Sequence, residues 1–198
     1  MMLSGAKFMA LALTLASSVV ALPVEARDTN IWIGYRRVHP DQAKIYNDLG
    51  TLNYDRKPIG IQLGDGVYTG QTRDGWLANP TYWYCLISAE QSKFDPVSKA
   101  WIPHNAGGKT LWHNEKNIND YIKGLDSKWD PLKTLRLGPI EGLETEGQMV
   151  IPPALIGGKK KGDLGPMGIR VTCTAPDKKP PNNKIDYGSW KNVKGSRQ

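Results

Sequence analysis

Two short segments bring together residue types that can build a binding site. In Ile33-Gly34-Tyr35-Arg36-Arg37-Val38, an aromatic–arginine pair leaves a short apolar run; Gly64-Asp65-Gly66-Val67-Tyr68-Thr69 follows further along the chain. Arginine offers a rigid fork of donors that matches a phosphate. Gly64 and Gly66 let the backbone come close to a ligand, and Tyr68 offers a flat ring on which a base can stack. That combination is suited to gripping a dinucleotide without a Rossmann fold.

The elements that must position these segments can be read from periodicity. Residues 29–38 alternate apolar and polar, which predicts a strand that His39-Pro40 ends. Asp41 is placed to cap a helix through Leu49, and Gly50 is placed to close it. Residues 53–60 form a turn-rich connector. Thr81-Tyr82-Trp83-Tyr84-Cys85-Leu86-Ile87-Ser88 is apolar on both faces, the mark of a buried central strand. Short strands are expected at Lys99–Pro103, at Met149–Pro153 and at Met167–Thr174, with an amphipathic helix over Asn117–Leu125. There is no internal repeat, and the fold class is α+β.

Composition narrows the function. Lys7 precedes an uncharged apolar run from Phe8 to Ala21, which predicts a secretory signal peptide over residues 1–21, with cleavage as late as Ala26. No second apolar run has spanning length, so an exported chain with no transmembrane segment is expected. The two cysteines, Cys85 and Cys173, fit one disulfide in an oxidising compartment, worth about 4–5 kcal/mol for so long a loop. The net charge of +7 is concentrated in Lys159-Lys160-Lys161 and in residues 175–198, which read as a basic, disordered tail after a domain spanning 27–174. No aromatic-interleaved basic stripe supports nucleic-acid recognition. His39, His104 and His113 have no metal-ligand spacing, so no metal is expected. A Gly-x-Ser-x-Gly elbow is missing, which leaves a serine esterase without support.

Taken in order, the Tyr35-Arg36 strand, the helix, the Gly-x-Gly-apolar-Tyr-Thr turn and the strand ending Leu86-Ile87-Ser88-Ala89 resemble the ADP-ribosyltransferase fold. The likeness is to the heat-labile enterotoxin and cholera toxin catalytic chain and to short secreted fungal proteins related to it. Gly64-Asp65-Gly66-Val67-Tyr68 is also similar to a motif of the poly(ADP-ribose) polymerases. The resemblance implies split, twisted β-sheets with short helices, and NAD as substrate. Arg36 would hold an NAD phosphate or ribose, with Tyr35, Gly66, Tyr68 and Thr69 shaping the pocket.

The family's catalytic glutamate lies in a Glu/Gln-x-Glu loop before an apolar strand, where it stabilises an oxocarbenium-like transition state. Two registers fit. One takes Glu144-Thr145-Glu146, with Glu146 catalytic; the other takes Glu146-Gly147-Gln148, with neutral Gln148 where the carboxylate belongs. The second suits the strand spacing better and implies a weak or inactive enzyme. The expected function is a secreted toxin or effector that transfers ADP-ribose to a host or competitor protein, either outside cells or after translocation into a target cell. The alternatives are a non-catalytic secreted binding protein on the same fold, or a disulfide-closed adhesin or lectin.

Overall fold

The structure is a computed structural model that describes residues 28–54 and 61–197. The signal-peptide segment and most of the 53–60 connector lie outside the described residues. Among those described, no helix is long and apolar enough to cross a membrane.

The chain runs β1 (Asn30–Val38), α1 (Pro40–Leu49), β2 (Val67–Gly70), β3 (Trp83–Glu90), α2 (Gln91–Phe94), β4 (Lys99–Trp101), β5 (Asn105–Ala106) and β6 (Lys109–Thr110). It continues through α3 (Glu115–Leu125), β7 (Leu135–Ile140), β8 (Leu143–Ile151), β9 (Arg170–Thr174) and β10 (Val193–Lys194). This is the α+β architecture expected. The strands do not separate into split sheets, however: eight form one sheet in the order β10-β4-β7-β8-β2-β1-β3-β9, beside the small β5-β6 hairpin.

Side chains alternate across a strand, so the sheet carries a different apolar set on each face. Val67, Met149 and Ile151 join Val38, Ala43, Tyr46, Cys85 and Ile87 in one cluster, under α1. Their neighbours Tyr68 and Val150 join Leu63, Ile102, Ile118 and Ile122 in another, under α3. Cys85 and Cys173 face each other across β3 and β9 and form the disulfide, 88 positions apart in sequence.

Several local expectations are corrected. The first residue outside α1 is His39, whose Nδ1 accepts from the Asp41 N–H at 3.3 Å, and Pro40 takes the first helical turn. Proline is suited there because it lacks a donor that would go unused. Gly50 closes the helix as expected, with φ 72° and its N–H donating to Tyr46 O at 2.8 Å. The acidic stretch from Leu143 is not a loop but the outer half of β8, where Leu143 and Gly147 pair with β7 on either side of a register shift that spans residues 144–146. Strand β7 itself has no signal in the sequence, because Pro139 sits inside it.

The C-terminal segment, expected to be disordered, is packed. Ile185 and Tyr187 are buried, Ile185 exchanges two hydrogen bonds with Gln71 (3.0 and 2.8 Å), and β10 pairs in parallel with β4. Composition counts the lysines and prolines of this segment; a few well-placed apolar side chains decide its fate.

Candidate functional site

Arg36 leaves β1 opposite Cys85 of β3, and its Nη1 donates to Tyr68 O at 2.6 Å. Its Nε is buried without a partner. The other predicted pocket residues have their polar groups engaged by the protein itself. The Tyr35 hydroxyl donates to Asn183 O at 3.1 Å and accepts from the Asn183 N–H at 3.2 Å, so the C-terminal segment covers it. The Tyr68 hydroxyl donates to Gly64 O and accepts from the Leu63 N–H, both at 2.9 Å. Its ring is buried against α3, and burial pushes ionisation of the phenol well above its ordinary range. Thr69 is buried, its hydroxyl directed at Met149 O. Gly66 has φ 149°, and a Cβ there would lie 2.4 Å from Ile151 O. Its openness therefore serves strand packing.

Register decides which of these residues can act together. Tyr35 pairs with Gly70, and Gly70 with Gln148; Arg36 is one residue out of phase with that row. Gln148 thus shares the face of Tyr35, as does Glu146 two residues before it on the strand, and Arg36 points to the other; Glu144 lies beyond a register shift between β7 and β8. Gln148 is fully buried, its Nε2 donating to Gln62 Oε1 at 2.5 Å and Pro139 O at 2.9 Å. Half-buried Glu146 accepts from the Thr72 hydroxyl at 2.9 Å, and exposed Glu144 accepts from the Gly142 N–H at 3.1 Å. The predicted set is not brought into one cleft.

A different cavity opens at the glycine turn. It holds about 600 Å³ and combines an apolar wall (Ile61, Leu132, Pro152, Pro153 and Ala154) with Asp65, Glu115, Asn119 and Arg136. Arg136 is 1% exposed and forks onto Glu115, Nη2–Oε1 at 2.6 Å and Nη1–Oε2 at 2.9 Å. It also donates to Leu63 O at 3.0 Å and Asn119 Oδ1 at 3.1 Å. Burial works to raise the Glu115 ionisation, but the hydrogen bonds and charge of Arg136 outweigh it and hold the carboxyl below its ordinary value. The same carboxylate accepts the Asp65 N–H at 3.0 Å, and the Tyr54 hydroxyl donates to Asp65. Burial, then that contact, pushes the Tyr54 phenol up to about 12.

Gly64 makes this junction possible: with φ 89°, a Cβ there would sit 1.8 Å from Arg136 Nη1. The glycine turn expected to cradle a ligand instead packs Gly64 on Arg136 and puts Asp65 in the cavity wall, beside a different arginine from the one expected. Glu115 and Asn119 lie one helical turn apart on α3, a spacing that places them side by side. Arg136 had no sequence signal, since its partners come from distant parts of the chain. Among the described residues, no group of three or more His, Cys, Asp or Glu side chains is placed to hold a metal ion.

A family model described as a family of unknown function (DUF5910) matches residues 61–196. No curated protein matches the chain.

Proposed function

The chain belongs to the DUF5910 family, of unknown function, and we propose that it is a secreted, non-catalytic binding protein, an effector that acts by holding a host or competitor protein. The observation that carries this reading is register. Arg36 lies out of phase with the row that contains Gln148, so the arginine projects from the opposite face of the sheet to Gln148 and to Glu146, two residues before it on the strand. An NAD-cleaving site needs both on the same ligand. Two further observations support the reading: Tyr68 and Thr69 are buried with their hydroxyls used internally, and Gln148 is neutral and enclosed.

The test is NAD hydrolysis, together with labelling of a cell lysate by tagged NAD, for wild type, Glu146→Ala and Gln148→Glu. No variant is expected to exceed background. NAD at a hundred times the dissociation constant of a true site would add about 2.7 kcal/mol of stability; no such rise in melting temperature is expected. Turnover by wild type that disappears in Glu146→Ala would overturn the proposal.

One observation favours the second reading, an NAD-dependent ADP-ribosyltransferase toxin. Glu146 is a half-buried carboxylate already accepting a hydrogen bond from the Thr72 hydroxyl, the kind of polar company a catalytic glutamate keeps. The same assay separates the two.

A further inference from the structure

We propose that the cavity beside Gly64-Asp65-Gly66 binds an amidinium or guanidinium group carried on a flat or apolar stem. The presence of Arg136 suggests an anion site at first sight, but its hydrogen bonds exclude that. Nη1 is committed to Leu63 O and Glu115, Nη2 to Glu115 and Asn119 Oδ1, and Nε is buried away from solvent. A phosphate or carboxylate entering the cavity would find no exposed free donor on it, because the one unpartnered N–H, on Nε, is buried. Apart from the Asn119 amide, which hydrogen-bonds Glu115, what the lining still offers are acceptors: the second Asp65 oxygen and the lone pairs left on Glu115.

Charge points the same way. Arg136 and Glu115 cancel, so Asp65 leaves the lining one unit negative. The opposite wall is apolar, with Leu132 60% exposed and Ile61 37% exposed, beside Pro152, Pro153 and Ala154. A planar cation on an apolar stem fits both walls: its fork of N–H donors meets a carboxylate, and its stem covers the leucine and the prolines. The volume suits a single side chain or a small aromatic cation. The donor group has the same chemistry in a free small molecule and in an arginine side chain of a partner protein.

This inference deepens the binding-protein reading and is tested apart from it, since NAD turnover and cation binding are separate measurements. The experiment is calorimetric titration of the full secreted chain with benzamidine, benzamide and benzoate, which share a ring and differ in charge. Benzamidine is expected to bind at least tenfold more tightly than benzamide, with benzoate weakest. Asp65→Asn is expected to weaken benzamidine about tenfold, the worth of one charged hydrogen bond, and to leave benzamide unchanged.

Because Asp65 also receives Tyr54, a second variant guards against misfolding: Leu132→Lys places a cation over the cavity from an exposed position. It is expected to weaken benzamidine at least tenfold at an unchanged melting temperature. A capped arginine tripeptide that binds more tightly than benzamidine would assign the site to a protein partner, and weaker binding would assign it to a small cation. Equal affinity for benzamide, preference for benzoate, or indifference to Leu132→Lys would overturn the proposal.

Discussion

Two arginines bracket the Gly64–Gly66 turn and are held in different ways. Arg136 bonds the carbonyl of Leu63 before the turn; Arg36 bonds the carbonyl of Tyr68 after it. Arg136 is buried and also forks onto a carboxylate, whereas Arg36 is half-buried and has no ion pair within 4 Å among the described residues. The arginine with a recognisable sequence motif is the lightly held one, and the arginine without a motif organises the cavity. Local sequence records which residues neighbour a turn, and the sheet order decides which of them share a site.

The largest expected effect breaks the stronger arrangement. Arg136→Ala leaves Glu115 partly buried beside the Asp65 backbone with no counter-charge, and it empties a fully buried volume. A loss of about 3 kcal/mol is expected, the low end for removing one partner of a buried pair because the Glu115 side chain is 37% exposed, measured by urea unfolding. Glu115→Ala in the same background should add little, because the two side chains form one unit. Additive losses would mean the pair is not coupled.

Gln148→Glu comes next, and it bears on activity as well as on stability. The substitution restores the carboxylate that the enzyme register wants, but sets it against Gln62 Oε1 and Pro139 O, two acceptors. A loss of about 2–3 kcal/mol is expected at neutral pH, the cost of an unsatisfied buried polar group. Burial raises the folded-state ionisation of such a carboxyl above the unfolded one, so its cost should grow as pH rises from the ordinary glutamate value. A variant as stable as wild type at pH 7 would show that position 148 opens to solvent, and would revive the catalytic register.

Arg36→Ala is expected to cost only about 1 kcal/mol, the net worth of one hydrogen bond. A loss as large as that of Arg136→Ala would erase the distinction between the two residues.

These differences also explain how much could be read in advance. The α+β class, β1, α1 with its Gly50 stop, β3 and the Cys85–Cys173 bond follow from short-range periodicity, turn chemistry and cysteine count. The turn at Gly64 was also visible, but its purpose was not, because φ 89° and the contact with Arg136 are set by a residue on β7. The register between β1, β2 and β8 stayed hidden for a physical reason. A shift of one residue reverses every side chain, and both phases of β8 (Met149 with Ile151, and Gln148 with Val150) are buried. The packed tail was masked by its own lysines.

Lys99 extends the comparison to a cation held by carbonyls and by the face of the Phe94 ring, 4.2 Å from its centroid, and gives the smallest expected effect. Its ammonium is fully buried and donates to Phe94 O at 2.9 Å, Val97 O at 2.8 Å and Lys191 O at 3.1 Å, tying the C-terminal segment to the end of α2. No carboxylate forms an ion pair with it within 4 Å among the described residues, and burial pushes its ionisation down from 10.5 to about 8. The folded state therefore releases this proton before the unfolded state does. Its burial cost is fully present below about pH 8 and is relieved as pH rises toward 10.5. Stability should rise on the order of 1 kcal/mol between pH 7 and pH 9. Above pH 10 the trend reverses, because Tyr68 and Tyr187, whose ionisation burial raises, favour the folded state less as the unfolded phenols ionise. Denaturant midpoints across that range should show the rise in wild type and lose it in Lys99→Met. A rise that persists in Lys99→Met would place the titrating group elsewhere and leave carbonyl oxygens as adequate partners for a buried cation.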